Sequence, residues 1–545
     1  MKKVIISAVT LLMGSATVFA QNLNPVIEVT NVYAREATGI EKPSQLLAIP
    51  DSVLRFHLDM DYSVNSTPYQ GSYEFKPYLV QLKPRLRPST EGSLFVRAGA
   101  GYGLHPEATV VWTPVRKDRF RLNLFGDHAS YFGQYHNMAL QDRIWNADGT
   151  YRSGSRMQTS LGTDALFTWT GGALAADVQY RNIGGTDVVS QERLSNNMFL
   201  GRARIKSAPG SKVDYEAGTR IAYIGYGEYL RELHTVSDAS LGAHFGIHRM
   251  RLGVFFETVS QPDDYAGNVA LSPHYLMNLG DFRMDLGVKF SFLYRSDENF
   301  CPRRSGFFFP DARVTYDALE DVLVLYAMAT GGDQIISYDK LLSQNPFMAG
   351  THWCTDNMVT RINTAVGVRG NIRERFHYDL KGGFRWDENA WTWGVVEDYT
   401  SPLGYIPSMG YAYASPLRTF YVMLNTGWKS EKIDVEADVY YGYTKIPDLL
   451  GQLLFAPAPF KARGHAFYNW GSRIQAGLTV EARSKLPGPQ SVPGYVDLGL
   501  QASLRMTRTL GFWLKGGNLL CQSIQRVPLY AEKGLYFTLG ATLNL

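Results

Sequence analysis

Many short segments of this chain alternate apolar residues with polar or small ones. In the final segment every second residue is apolar: Leu535, Phe537, Leu539, Ala541, Leu543 and Leu545. Successive side chains of a β-strand point to opposite faces. The pattern therefore predicts strands with one apolar face and one face in contact with water.

The same alternation recurs along most of the chain. Most of these segments are about as long as a tilted membrane strand, which needs roughly 9 to 11 residues. Further strands are therefore predicted for these segments: Leu54 to Val64, Leu94 to Leu104, Phe120 to Asp127, Val213 to Tyr223, Leu252 to Val259, Phe282 to Phe292, Phe376 to Trp386, Ile433 to Tyr443, Ser472 to Ala482 and Val496 to Met506.

Short and long connections alternate between these segments, as periplasmic turns and extracellular loops do in outer-membrane barrels. Short turns are predicted near Gly171-Gly172, Ser207 to Lys212, His248 to Arg251, Asn278 to Asp281, Ala318 to Asp321, Gly370 to Arg373, Lys429 to Lys432, Asn469 to Gly471 and Thr507 to Thr509. Long loops are predicted at Gly133 to Arg156, Asn182 to Ser195, Tyr226 to Ser237, Gln261 to Gly267, Tyr294 to Phe309, Thr330 to Met358, Asp387 to Leu417 and Thr444 to Pro459.

This alternation places both ends of the barrel on the periplasmic side. We therefore predict an all-β fold, a transmembrane antiparallel up-and-down β-barrel of about 22 strands. Residues 70–86 leave the number open between 22 and 24. A soluble β-sandwich or propeller also contains alternating strands, but it does not predict the regular change in loop length.

The N-terminus has the layout of a secretory signal. Lys2 and Lys3 precede an apolar run from Val4 to Met13, and small residues lead to Ala20. We expect cleavage near Ala20-Gln21 and export to the outer membrane of a Gram-negative cell. The predicted division is a signal peptide at 1–20, a short periplasmic segment at 21–52 and the barrel at 53–545.

Composition narrows the class of protein further. Beyond residue 20 no apolar run reaches the roughly 18 residues that a spanning helix needs, which excludes a helical membrane protein. Aromatic residues make up 13% of the chain, which suits the aromatic girdles of a barrel. The net charge of +4 gives no indication of a nucleic-acid partner.

The C-terminal portion contains a strand from Gly494 to Leu500, the pair Asn518-Leu519 after a strand, and Gly534 to Phe537 opening the last strand. In these motifs it resembles the barrels of TonB-dependent receptors. The resemblance implies a receptor-type barrel of about 22 strands and a role in the outer membrane. The named motifs cover about the last 50 residues, whereas the strand pattern covers most of the chain.

Two features depart from that family. Its members carry a plug of somewhat over a hundred residues and an energy-coupling box before the barrel, but here the alternation begins at Leu54. We therefore expect a barrel without a plug. The chain also ends in Leu545, where barrel-insertion signals usually end in an aromatic residue.

Charged residues of both signs lie on the predicted inner face. Lumen-facing candidates are Asp379, Lys381, Arg385, Asp434, Glu436, Asp438, Arg473, Glu481, Arg505 and Lys515. They can solvate the lumen and pair across strands, or they can line a substrate path, and their mixed signs favour neither anions nor cations. Successive carboxylates on one strand face are about 6 to 7 Å apart, too far to share one metal ion unaided.

Two further features concern chemistry in the outer parts of the barrel. His128 and Ser130 have the spacing used on the lipid-facing side of outer-membrane phospholipases, but a hydrolase also needs a third group that orients the histidine. Cys301 and Cys354 fall in consecutive predicted outer loops, where a disulfide is compatible with an exported location.

We therefore predict an outer-membrane transport component, or a membrane subunit of a multiprotein complex, with no enzymatic activity, no cofactor and no metal. The alternatives are a general porin-like passive channel and a lipid hydrolase that uses His128 and Ser130. The expected partners are outer-membrane lipids, lipopolysaccharide, and a surface lipoprotein or other complex subunits. A barrel of this size needs an occluded lumen. The residues from Gln21 to Pro50, the long loops or a partner are the candidates for occluding it.

Overall fold

The strands of the chain form one closed ring. The computed structural model describes residues 93–141, 144–186, 193–208, 210–211, 213–226, 230–262, 265–295, 305–320, 322–344, 357–390, 396–397, 405–406, 415–446, 455–488, 491–526 and 530–545. Within these ranges there are 24 strands and one helix: β1 Leu94–Tyr102, β2 Glu107–Lys117, β3 Phe120–Gln141, β4 Ile144–Trp169, β5 Gly172–Thr186, β6 Arg193–Ser207, β7 Val213–Tyr226, β8 Leu230–Phe245, β9 His248–Ser260, β10 Tyr265–Leu279, β11 Phe282–Arg295, β12 Ser305–Leu319, β13 Leu323–Ile335, α1 Tyr338–Gln344, β14 Asn357–Ile372, β15 Phe376–Ala390, β16 Val396–Glu397, β17 Tyr405–Ile406, β18 Ser415–Lys429, β19 Ile433–Lys445, β20 Phe460–Trp470, β21 Ile474–Arg483, β22 Tyr495–Arg505, β23 Leu510–Gly517 and β24 Tyr536–Asn544.

Twenty-two of these strands pair antiparallel with their neighbours in chain order, and β16 and β17 form a separate small hairpin. The ring closes between β1 and β24, where Phe95 lies opposite Asn544 and Tyr102 opposite Phe537. The predicted all-β antiparallel barrel is therefore confirmed, with 22 strands. The predicted strand Leu54 to Val64, the signal peptide and the 21–52 segment lie outside the described residues.

The two faces of the barrel wall differ in polarity, as the sequence predicts. On β18 the outward Phe420 and Val422 are exposed, whereas Thr419 and Tyr421 on the inner face are buried. The same contrast recurs around the ring, and the apolar outer face is that expected of a barrel that crosses a membrane. None of the helical residues in the described ranges forms a segment long and apolar enough to cross a membrane.

Every connection at one end of the barrel is short, and all the long connections lie at the other end. The short-turn end holds residues 118–119, 170–171, 208, 210–211, 246–247, 280–281, 320, 322, 373–375, 430–432, 471–473 and 506–509. In two of the two-residue turns, Gly246 and Gly280 have positive φ, which favours glycine. The predicted short turns at this end are confirmed, but the connections after β1, β3, β7 and β9 at the other end are also only two to four residues long. The predicted turn at His248 to Arg251 is wrong, because those residues open β9 and the turn precedes them.

The predicted long loop from Gly133 to Arg156 is also wrong. β3 and β4 continue through it as one antiparallel hairpin that reaches the pair Gln141 and Ile144. Beyond the membrane both faces of a hairpin contact water, so the apolar stripe ends although the backbone pairing continues. The other predicted long loops are shortened at their ends for the same reason, since the strands extend into them.

Asn518 determines how the connection between β23 and β24 leaves the wall. Its φ is +48°, a left-handed conformation that asparagine adopts more readily than most residues. Its side-chain amide donates to the Gln522 carbonyl (2.8 Å) and its side-chain oxygen accepts from the Gln522 amide (2.9 Å). The Asn518-Leu519 motif therefore builds the first turn of the last long connection.

Candidate functional site

The first part of the connection between β13 and β14 turns into the lumen instead of standing above the rim. We call its residues 335–342 the mouth segment. Within it α1 begins after Ser337, which is fully buried and whose hydroxyl accepts from the Lys340 amide (3.3 Å). Glu232 on β8 accepts from the backbone amides of Tyr338 (2.9 Å) and Asp339 (3.2 Å). A wall residue thus satisfies the free amides at the start of the helix.

One side of the mouth segment is apolar and crosses the lumen. Tyr338, Leu341 and Leu342 are almost completely buried. They belong to one continuous cluster with residues from β5 to β7 and from β14, β15 and β18: Ile183, Met198, Ile224, Met358, Ala390 and Leu417. Strands β6 and β15 are nine places apart in the ring of 22, so the cluster joins nearly opposite walls. Each buried side chain of this size contributes about 1.5–3 kcal/mol.

The other side of the mouth segment is held by charges. Arg220 on β7 donates to Asp339 (2.5 Å), and His234 on β8 lies 3.3 Å from the same carboxylate oxygen. Glu257 on β9 lies 2.9 Å from the other ring nitrogen of His234 and accepts from Lys340 (2.7 Å). These five side chains form a single charged network that links three wall strands to α1.

The pKa of Asp339 reflects this network. Burial by itself would raise the pKa of the carboxyl, but the Arg220 charge and the hydrogen bonds from His234 and Arg220 hold it well below its usual range. Asp339 is therefore ionised at neutral pH and remains paired with the wall.

A second inward connection covers the part of the wall where the strands are shortest. We call residues 518–535, between β23 and β24, the terminal loop. Arg526 in this loop donates to Glu481 (3.0 Å) on β21 and Asp497 (3.0 Å) on β22. Glu532 accepts from Arg156 (3.0 Å) on β4. The terminal loop thus reaches from β21 across the short strands β23, β24, β1 and β2 to β4.

The two inward segments approach each other at Ile183. This β5 side chain belongs to the apolar cluster of the mouth segment and also lines a cleft beside the terminal loop. The same cleft is lined by Tyr131 and Tyr135 of the long hairpin and by Arg156 and Arg526. Parts of three connections therefore converge over the lumen at the long-loop end.

The predicted lumen-facing residues on β15 lie on the face opposite the exposed Leu380. Asp379 accepts from the Tyr326 hydroxyl (2.6 Å), and Arg385 donates to Asp387 (2.8 Å). Lys381 lies on the same face, between them along the strand. These residues form part of a mixed-charge inner wall below the mouth segment.

The predicted residues on other strands are spread around the ring. Asp438 pairs with Arg463 (3.0 Å), whereas Asp434 (3.5 Å) and Glu436 (4.0 Å) both approach His465. The three carboxylates on one strand face thus lie next to two different basic side chains and do not converge on one point.

The remaining candidates separate into two groups. Glu481 pairs with Arg526 of the terminal loop, and Lys515 pairs with Glu107 (2.8 Å). Arg473 lies exposed in the 471–473 turn, and Arg505 lies exposed at the end of β22, both at the short-turn end. The predicted set is therefore not one site, although Glu481 belongs to the network that anchors the terminal loop.

His128 and Ser130 lie on the outer face of β3. The His128 Nε2 atom is 3.1 Å from the Ser130 hydroxyl, and Nδ1 is 2.9 Å from the Thr159 hydroxyl on β4. Cys301 and Cys354 lie outside the described residues. Cys521 in the terminal loop is a free, exposed thiol.

The sequence pattern predicts residues 330–358 as one long loop and does not indicate the charged network of the mouth segment. Ser337 with an acidic residue two positions later is a typical sequence signal for the start of a helix. Tyr338, Leu341 and Leu342 also have the i, i+3, i+4 spacing of an apolar helix face.

Comparisons with known proteins agree with the architecture. No protein-family model and no curated protein matches the sequence. Among solved structures, the ferric-catecholate import receptor Fiu of E. coli K12, in a closed form, has a TM-score of 0.60 at 10% identity, covering 83% of this chain and 82% of that one. The FrpB iron transporter of Neisseria meningitidis, an F5-1 variant apoprotein, has a TM-score of 0.62 at 9% identity, covering 83% and 81%. FpvA of P. aeruginosa bound to heterologous pyoverdines has a TM-score of 0.58 at 13% identity, covering 83% and 71%. This chain therefore has the fold of the 22-stranded TonB-dependent receptor barrels.

Proposed function

We propose that this protein is an outer-membrane transport component of the receptor type that works without a plug, as a channel or as the membrane subunit of a larger complex. Its own mouth segment and terminal loop close the lumen. The observation that carries the proposal is the apolar cluster that joins nearly opposite walls through Tyr338, Leu341 and Leu342.

Closure by the mouth segment favours a gated component over a general porin-like channel. A passive porin has a permanently open, water-filled lumen. Here the mouth segment occupies the lumen at its long-loop end, and the charged network ties it to β7, β8 and β9. Passage of a solute or polypeptide therefore requires movement of the mouth segment.

A complex subunit is the second form of the same proposal. The terminal loop, the long hairpin and the mouth segment converge at the long-loop end of the barrel, so one partner protein docked there contacts all three. A surface lipoprotein that docks there can move the mouth segment through differential binding to its open and closed positions. The import functions in the names of the similar structures favour transport over a purely structural role.

Conductance of the purified full chain in planar bilayers tests the gated channel. We expect little conductance from the wild-type chain and a large, steady conductance when residues 338–344 are replaced by a Gly-Ser linker of equal length. A permanently conducting wild-type chain would support the porin-like alternative. Equally silent wild-type and replaced chains would overturn the gating role of the mouth segment.

Affinity purification from cross-linked outer membranes tests the complex subunit. We expect a stoichiometric lipoprotein or outer-membrane subunit to accompany the wild-type chain. The Gly-Ser replacement changes the mouth segment and leaves the wall strands unaltered. Loss of the partner from this variant therefore maps the contact to the mouth segment. Absence of a stoichiometric partner, together with gated conductance, supports a channel that works alone.

A further inference from the structure

Two cations lie opposite each other on the outer face of the barrel near the long-loop end. Arg418 on β18 is registered with Lys445 on β19, and both side chains are exposed. On the other side of Arg418, Trp386 on β15 is its registered partner. Like charges that face each other directly across two strands destabilise a sheet. An anion between Arg418 and Lys445 would remove this cost.

A third cation joins the same group. Arg361 lies in the irregularity between Thr360 and Ile362 of β14, and its guanidinium is 5.6 Å from the Trp386 ring centre. The Arg418 guanidinium is 5.4 Å from the same ring. Arg361 also pairs with Glu388. We call Arg361, Trp386, Arg418 and Lys445 the basic rim cluster, and with Glu388 it carries a net charge of about +2.

Aromatic and apolar side chains nearby indicate where the basic rim cluster lies relative to the membrane. Phe420 and Tyr443 are registered partners one pair closer to the membrane, and they are 59% and 64% exposed on the same outer face. Val422 and Tyr441 follow below them and are also exposed. Aromatic girdles mark the membrane–water interfaces of barrels. Arg418 and Lys445 lie about 6–7 Å above this aromatic pair, at the level of lipid headgroups.

We propose that the basic rim cluster binds the phosphorylated headgroup of a glycolipid in the membrane leaflet at the long-loop end. The guanidinium of Arg418 presents a planar set of donors that matches a phosphate, and Lys445 adds a second positive charge. Trp386 lies within cation–π distance of both arginines and keeps them on one patch of the outer face. The acyl chains of the lipid then lie along Phe420, Tyr443 and the apolar face beneath them.

The position of the cluster makes a lipid a better occupant than a protein or a free ion. Its side chains project from the wall toward the membrane, not from the loops, and an apolar face continues directly below them. Basic clusters next to a membrane surface contribute about 1 kcal/mol for each Lys or Arg. The proposal does not depend on the transport role, because the cluster lies on the outer face of the wall.

Native mass spectrometry of the full chain, purified in mild detergent from outer membranes, tests this site. We expect bound phosphorylated glycolipid on the wild-type chain and about 30-fold weaker retention in the double variant Arg418→Gln, Lys445→Gln. The control is Arg231→Gln, which removes an exposed outward cation at the long-loop end of β8 whose registered partner is Gly225. The control is expected to retain the lipid.

Thermal stabilisation of the delipidated chain separates the possible sources of phosphate. We expect stabilisation by the phosphorylated glycolipid, little by the same lipid after enzymatic dephosphorylation, and little by inorganic phosphate at equal concentration. Equal retention by the wild-type chain and the double variant, with both barrels intact by heat-modified electrophoresis, would overturn the proposal. Stabilisation by inorganic phosphate alone would overturn the lipid as the ligand.

Discussion

Arg220 on a wall strand donates a hydrogen bond to Asp339 of the mouth segment over 2.5 Å, across 119 residues of sequence. This contact connects the hydrogen-bonded wall to the segment that we propose closes the lumen. The same carboxylate also faces His234 (3.3 Å). The mouth segment is therefore held in the lumen by a small number of polar contacts in addition to the apolar cluster.

The substitution Asp339→Asn should release the mouth segment without unfolding the barrel. The neutral amide no longer attracts Arg220, and a hydrogen bond to a charged group contributes about 2 kcal/mol. We expect amide exchange of residues 338–342 to become about 30-fold faster by mass spectrometry, with the wall strands unchanged. Asp148→Asn is the control, because Asp148 is a partly exposed acid whose hydrogen bonds, to Thr150 and Asn137, lie within the β3–β4 hairpin. Equal exchange in both variants would argue against this anchor.

Closure should persist at neutral pH and weaken in acid. The pKa of Asp339 is depressed in the folded state, so its contribution is fully present above the ordinary carboxyl pKa and is lost as the pH falls toward the depressed value. The groups that face it are Arg220 from β7 and His234 from β8. We expect constant bilayer conductance between pH 7 and pH 5 and a rise below about pH 4. Asp339→Asn should show a smaller rise, and an identical rise would assign the acid response to other groups.

The sequence predicted the wall well, because the membrane imposes a simple rule on it. Every strand needs an apolar outer face, so Phe420, Val422 and Leu539 recur at alternate positions. Turns were predictable within a few residues, since glycine or polar residues interrupt the alternation. The boundary error at His248 arose because Met250 and Leu252 continue the outward apolar face, while His248 and Arg249 resemble turn residues.

The sequence predicted the interior and the outer rim less well, because no membrane constrains them. In the β3–β4 hairpin beyond the rim, apolar residues such as the buried Tyr135 and Met138 no longer alternate regularly with polar ones, so strand and loop look alike in the sequence there. The mouth segment contains only one short helix, whose stability comes from tertiary contacts instead of local propensity. Glu232 and Glu257 were missed because nothing in their local sequence indicates that their partners are Tyr338 and Lys340 more than 80 residues away.

Leu342→Ala should loosen the mouth segment from its apolar side. Leu342 is fully buried in the cluster, and removal of a buried leucine side chain costs about 3 kcal/mol. We expect faster amide exchange across residues 338–342 and intermittent conductance openings that the wild-type chain lacks. Leu319→Ala, at an exposed position at the short-turn end, should change neither measurement. A silent Leu342→Ala channel with unchanged exchange would mean that the cluster does not hold the mouth closed.

Arg526→Gln should release the terminal loop while leaving the mouth segment in place. Arg526 bonds to both Glu481 and Asp497, and its loss leaves two partly buried carboxylates without that cation. Breaking a buried ion pair on one side costs about 3 kcal/mol. We expect faster amide exchange in residues 522–526 and little change in residues 338–342. The control is Arg508→Gln in an exposed turn. Faster amide exchange in both the terminal loop and the mouth segment of Arg526→Gln would show that the two segments are coupled where they meet at Ile183.

The His128 and Ser130 pair should be structural. The hydrogen bond between them has the geometry of an activated serine, but Ser130 is only 3% exposed and the third group, Thr159, is a neutral hydroxyl. The Ser130 backbone amide is also already bonded to the Pro106 carbonyl (3.0 Å), so it offers no donor to a reacting oxyanion. We expect no fatty-acid release from phospholipid or lipid A by the purified chain. His128→Ala should instead lower the free energy of unfolding of the β3–β4 hairpin by about 1 kcal/mol. Lipid hydrolysis that disappears in both His128→Ala and Ser130→Ala would establish catalysis at this position.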